Sequence, residues 1–173
     1  MQKVSPQAQE EQPMPGMAVQ CTMVSVVVIR GHGADAEVLL LRRAQPHLHG
    51  LWTYVAGHVE AGEKAWQAAL RELHEEAGLR PHALYSADRC ETYYDVREEC
   101  IAVVPAFVAF VEVDAVVQRD GENDAHLWLS LDAAVPHLAF DGQRELFQQV
   151  RREFIDGTPP AALRIPMTGM PTE

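Results

Sequence analysis

An α+β sandwich, built on a mixed β-sheet with two principal helices, is the architecture this sequence predicts. Three observations lead there. Short β-branched and apolar runs recur along the chain. A strongly amphipathic segment ends at Ala77, just before Gly78. A second amphipathic segment, DGQRELFQQVRREFI, closes the apolar part of the chain. The chain has 173 residues, 47% of them hydrophobic and 23% charged, which suits one globular domain with a real core.

Taken in order, Met1 to about Val19 is polar and Pro-bearing and reads as a flexible N-terminal tail. Thr22–Arg30 (TMVSVVVIR) reads as a central strand, Gly31–Ala36 as a turn and Glu37–Arg43 (EVLLLRR) as a second strand. A loop over Ala44–Gly50 leads to a short strand, Leu51–Val55. Lys64–Ala77 is a helix, with Gly78 placed where a left-handed cap residue belongs. Two strand-like segments follow, Ala83–Asp88 and Arg89–Val96, and then a long apolar strand over Cys100–Val113. After the loop Asp114–Gly121 come a strand, His126–Ser130, a short helix over Leu131–Leu138 and a long one over Asp141–Ile155. The Pro-rich end from Gly157 reads as a tail, so the domain spans about residues 20–156.

The formal net charge is −11. Nonspecific nucleic-acid binding runs on basic patches, so a long polyanion is disfavoured as a partner. A small phosphate ester or anhydride remains open if cations neutralise it. Cys21, Cys90 and Cys100 are odd in number and show no C-x-x-C spacing, which points to buried thiols rather than a disulfide framework. No apolar run reaches membrane-spanning length, and the first twenty residues lack a signal-peptide core, so the expectation is a cytoplasmic protein without a membrane partner.

On a helical wheel, Trp66, Leu70, Leu73 and Ala77 form the stripe expected to face the core. Glu72, Glu75 and Glu76 lie on another face, among Ala65, Ala68 and Ala69. Like charges at these spacings cost about 0.2–0.5 kcal/mol per pair. A hard divalent cation would relieve the repulsion and use the oxygens as ligands. On the wheel alone, an acidic solvated face explains the pattern equally well.

The surrounding residues break that tie. From Gly57 the chain reads GHVEAGEKAWQAALRELHEEAGL, which resembles the Nudix box, G-x5-E-x7-R-E-U-x-E-E-x-G-U with U a bulky aliphatic residue. Gly57, Glu63, Arg71, Glu72, Leu73, Glu75, Glu76, Gly78 and Leu79 all match, nine defined positions over 23 residues. The preceding LLLRR and the Leu51-Trp52 pair extend the likeness to most of Thr22–Ile155.

The resemblance implies a Nudix-type α/β/α sandwich with a catalytic loop–helix–loop, and a Mg²⁺-dependent hydrolase (with Mn²⁺ as an alternative metal) cleaving a pyrophosphate bond in a small nucleoside or pterin phosphate. Carried over by residue, Glu72, Glu75, Glu76 and the Gly57 carbonyl would hold metal. Arg71 and Glu63 would form an ion pair that aims the carboxylates. Glu75 and Glu122 are the two candidates for general base, and Glu122 is also a candidate metal ligand. Arg42, Arg43 and His58 are candidate substrate contacts, each with a plain alternative as a surface charge or loop histidine. Tyr93 and Tyr94 could stack on a base, or place one ring in the core. Trp128 reads first as a core residue.

WTYVAGHVEAGE lacks the Pro-Gly-Gly of many relatives and is closer to the dihydroneopterin triphosphate and dNTP pyrophosphohydrolase branch, as is ENDAHLWLSLDAA. Asn123 departs from that branch, which tends to carry His there. A homodimer is compatible with the resemblance. The competing functions are a non-catalytic Nudix sensor, disfavoured by the intact box, and an RNA 5′-end pyrophosphohydrolase, disfavoured by the acidic charge.

Overall fold

The structure, a computed structural model, describes residues 16–118 and 121–167. Its strands are β1 (Ala18–Gln20), β2 (Met23–Arg30), β3 (Glu37–Arg43), β4 (Trp52–Thr53), β5 (Val55–His58), β6 (Ala83–Asp95), β7 (Cys100–Val111) and β8 (Asn123–Ser130). Its α-helices are α1 (Ala65–Ala77), α2 (Leu131–Ala134) and α3 (Asp141–Val150). All strands join one mixed sheet. β2 runs parallel to β7 and antiparallel to β3 and β5, while β6 pairs antiparallel with β7 and β8 with β3.

Side chains alternate across a strand, so the apolar runs feed two cores at once. Val24, Val26 and Val28 of β2 join Leu39 and Leu41 of β3 under α1. Val27 and Ile29 join Val38 and Leu40 on the opposite face, where Leu146, Phe147 and Val150 of α3 cover them. This is the expected sandwich. Leu70 and Leu73 are 4% and 0% exposed, and each contributes about 2 kcal/mol by leaving water.

The elements differ from expectation where tertiary packing overrides local pattern. Ala83–Asp95 is one strand, not two; a register shift between Ser86 and Cys90 carries it through, and Asp88 takes φ 51° there. A bulge bends a strand without ending it. The last helix continues past Val150 as a π-helical turn over Arg151–Ile155. The strand expected over Leu51–Val55 is two short ones, β4 and β5. β8 begins three residues early, at Asn123.

β1 takes in Ala18 and Val19 of the expected N-terminal tail, pairing with β7; residues 1–15 of that tail lie outside the described residues. The stretch after Gly157, expected as a tail, packs back on the sheet. Ile165 donates its N–H to the Leu84 carbonyl at 2.8 Å, and Ile165 and Met167 lie against the α1-side core.

The expected buried thiols hold for Cys100 alone. Cys21 and Cys90 are exposed; one lies in the connection between β1 and β2 and the other sits at the β6 bulge. Neither Tyr93 nor Tyr94 is in the core; both are nearly half exposed, since the β6–β7 hairpin extends beyond the helices. Trp128 is only partly buried, with the Arg30 guanidinium 4.4 Å from its ring centroid.

Candidate active site

Loop 59–64 and α1 are held together by one arginine. Arg71 Nε donates to Glu63 Oε1 at 3.1 Å and Nη2 to Glu63 Oε2 at 3.0 Å, a bidentate fork. Nη2 also donates to the His58 carbonyl at 2.7 Å, and Nη1 to Glu72 Oε1 at 2.8 Å and Glu75 Oε2 at 2.9 Å. One guanidinium thus ties β5, the loop and two α1 carboxylates. Its hydrogen bond with Arg71 holds the Glu63 carboxyl below the ordinary carboxylate range, and Glu63 in turn raises Arg71. The expected Glu63–Arg71 pair is present.

The three α1 carboxylates have different surroundings. Glu72 lies against Gly57 so closely that a Cβ there would come within 1.9 Å of its carboxyl carbon. Gly57 is therefore required by contact, not by backbone twist. Gly78, at φ 67°, is required by twist and ends the helix as expected. Glu75 has a side chain 53% exposed. Glu76 is buried at 7% exposure, accepting from the Ala56 N–H at 3.3 Å and from Asn123 Nδ2 at 3.1 Å.

The wheel reading needs correction at this point. Ala68 and Ala69, assigned to the carboxylate face, are fully buried in the α1-side core, and Trp66 of the expected core stripe is only partly so. The helix lies in a trough and buries more than one stripe, which is how Glu76 comes to be inside.

A cavity of about 390 Å³ opens beside this arrangement, walled by Arg43, Gly57, His58, Arg71, Glu72 and Glu122. The structure thus brings together most of the residues singled out in the sequence. Arg43 reaches it because of a bulge: β3 pairs with β8 through Arg42↔Ala125 and then Arg43↔Asn123, leaving Asp124 as the extra residue. Arg42 does not line the cavity; it pairs with Asp124 at 2.7 Å on the surface. Glu75 and Glu76 flank the cavity without lining it. Met23, Gln45 and Glu60 border it and were not anticipated. Only Glu60 carried a signal, its place inside the box. Asn123, noted only as a departure, proves to be the partner of Glu76.

The NUDIX domain family matches residues 20–150 of this chain. The chain belongs to the Nudix family. The asymmetrical bis(5′-nucleosyl)-tetraphosphatase of Rattus norvegicus is 30% identical over 125 residues, covering 71% of this chain and 83% of that protein. A Myxococcus xanthus protein named octanoyltransferase is 38% identical over 124 residues, 70% of this chain; the chain spans only 34% of that protein's length. A binary complex of the C. elegans Ap4A hydrolase superposes with TM-score 0.66 at 27% identity, covering 77% of this chain and 96% of that one.

The oxygen donors of this Nudix site suit a hard divalent cation. Glu72, Glu75, Glu76, Glu122 and the Gly57 carbonyl each offer oxygen atoms, and the Gly57–Glu72 cradle admits no side chain. Among the described residues no group of three His, Cys, Asp or Glu side chains already converges in metal-binding geometry. Arg71 spans Glu72 and Glu75, and Glu76 accepts from Ala56 and Asn123. No helix among the described residues is long and apolar enough to cross a membrane.

Proposed function

We propose that this Nudix pyrophosphohydrolase uses Mg²⁺ to hydrolyse a small nucleoside polyphosphate, with a bis(5′-nucleosyl) tetraphosphate as the first substrate to try. The observation that carries the reading is the single cavity shared by Glu72, Gly57, Arg71, Arg43 and Glu122. It combines oxygen donors for a cation with guanidinium and imidazole groups for phosphate. The substrate class rests on the nucleosyl-tetraphosphatase and Ap4A hydrolase relatives.

Glu72 and Glu76 would hold the metal, with Glu75 and the Gly57 carbonyl completing the protein's share. When bound, Mg²⁺ would supply Lewis acidity, neutralising phosphate oxygens and making water a better nucleophile. Arg43 would bind a phosphate oxygen as a fork and fix the polyphosphate chain. His58 would border the same chain. Glu122, exposed on the cavity wall, or Glu75, which Arg71 holds, would accept the proton from the attacking water. Arg71 would orient Glu72 and Glu75 and touch no substrate.

The test is product release with Mg²⁺ from a panel of bis(5′-nucleosyl) tetraphosphates, NTPs, dNTPs, dihydroneopterin triphosphate and nucleotide sugars. Glu76→Gln serves as the control. Metal-dependent release, lost in the variant, is the expected result. Binding of a panel member without release from any would favour a sensor. Release from the pterin triphosphate alone would keep the chemistry and replace the substrate class.

A further inference from the structure

The α3 side of the sheet is mostly apolar, but one carboxylate enters it. There Ser25 and Tyr54, only 1% and 3% exposed, meet the carboxylate of Glu91. Tyr54 Oη donates to Glu91 Oε1, and Ser25 Oγ donates to Glu91 Oε2 at 3.1 Å. Glu91 and Ser25 stand on different strands, and Tyr54 stands between two others. Glu91 lies on β6 opposite Val104 of β7; Ser25 lies on β2, opposite Ala106 of β7 on one side and Ala56 of β5 on the other. Tyr54 immediately precedes β5. The carboxylate therefore reaches across β7, over small Ala106, and links β6 to the two strands beyond it.

A carboxylate partly withdrawn from water is costly, and that desolvation raises the Glu91 carboxyl while its hydroxyl partners lower it. Apolar side chains of similar size would commonly stabilise such a place at least as well. What the trio does provide is position. β5 is four residues long and pairs with β2 along one edge. Its Ala56 N–H binds Glu76, and its Gly57 packs on Glu72. Of the carboxylate's two partners, Tyr54 adjoins β5 and Ser25 is paired with it.

We propose that Glu91, acting through Tyr54 and Ser25, is a positioning residue that holds β5 in register so that Gly57 and Ala56 meet Glu72 and Glu76. It lies on the opposite face of the sheet from α1 and touches no substrate or metal. The inference rests on the reading of those α1 residues as a cation site.

The test is calorimetric titration of Mn²⁺ into the metal-free full chain without substrate, alongside kcat, KM and thermal midpoint. Tyr54→Phe keeps the ring and removes the hydroxyl that binds Glu91 and also meets Gln143 of α3. Glu91→Leu removes the carboxylate. Glu91→Gln keeps an oxygen for Tyr54 and an amide to donate to Ser25. Tyr54→Phe and Glu91→Leu are expected to weaken Mn²⁺ binding and lower kcat by about tenfold or more, the usual effect of losing a group that orients ligands, with KM little changed and Glu91→Gln largely restored. Should Glu91→Leu fail to fold, Tyr54→Phe decides alone. A lower thermal midpoint with Mn²⁺ affinity and kcat unchanged would overturn the proposal, as would a Glu91→Gln as impaired as Glu91→Leu. A wild-type chain that binds no Mn²⁺ overturns the cation site together with the positioning role; one that binds it no better than Tyr54→Phe overturns the positioning role alone.

Discussion

α1 and α3 are both amphipathic, both acidic in part, and both cover one face of the same sheet. They differ in what their charges do. On α3, Asp141 pairs with Arg144 and Glu145 with Arg89 near the surface, where the two carboxylate side chains are 91% and 62% exposed. On α1, Glu72 has a side chain only 14% exposed, Glu76 is buried, and one guanidinium holds Glu72, Glu75 and the loop residue Glu63. Carboxylates brought out of water without a stability benefit are the mark of a site; carboxylates paired in water are the mark of a surface.

The sharpest way to break this contrast is Glu76→Gln. It preserves size and keeps one acceptor oxygen for Asn123 or Ala56, and is expected to abolish metal-dependent turnover with an unchanged circular dichroism spectrum; near wild-type kcat would place the buried carboxylate outside the chemistry. Gly57→Ala comes next. Its new Cβ meets Glu72 at 1.9 Å, and steady-state kinetics should show a loss of about 10–100-fold, as for other disturbed ligand shells. Arg71→Lys keeps the charge but loses the fork to Glu63, and a similar loss is expected, with kcat rather than KM carrying it.

A pH series sharpens the comparison between the two faces of the sheet. Arg71 holds the Glu63 carboxyl below its ordinary 4.5. The folded state then binds fewer protons there than the unfolded one, so the stability Glu63 contributes is present above 4.5 and is lost as pH falls through its lowered folded value. Burial holds Glu91 above its ordinary 4.5. Its contribution is full below 4.5 and is lost as pH rises through its raised folded value. Urea-unfolding midpoints should therefore lose acid sensitivity in Glu63→Gln and lose part of their decline toward neutral pH in Glu91→Gln. Identical pH curves for all three chains would refute both assignments. The smallest effect belongs to α3: Glu145→Ala should cost no more than about 1 kcal/mol, with kcat unchanged.

Much of the fold was legible because its signals are local. The runs around Val24–Ile29 and Val38–Leu41 are long and apolar, and Gly78 marks the end of α1 plainly. The box spacing named Gly57, Glu63, Arg71 and Glu72 before any geometry. What was not legible depends on distant parts of the chain. The continuity of β6 through Asp88 needs β7 beside it. The burial of Ala68, Ala69 and Glu76 needs β5, β2 and β7 packed against α1. The aim of Arg43 away from Arg42 needs the bulge opposite Asp124. The Tyr54–Glu91 link joins residues 37 apart in sequence, and no motif announces it.

The central claim is that the buried and tethered carboxylates of α1 hold a divalent cation. Electron paramagnetic resonance of Mn²⁺ titrated into metal-free protein, with Glu76→Gln beside the wild type, tests it without any choice of substrate. Saturable Mn²⁺ binding by the wild type, lost or greatly weakened in a folded Glu76→Gln, is the predicted result. Equal binding by both chains, or none by either, would contradict the account.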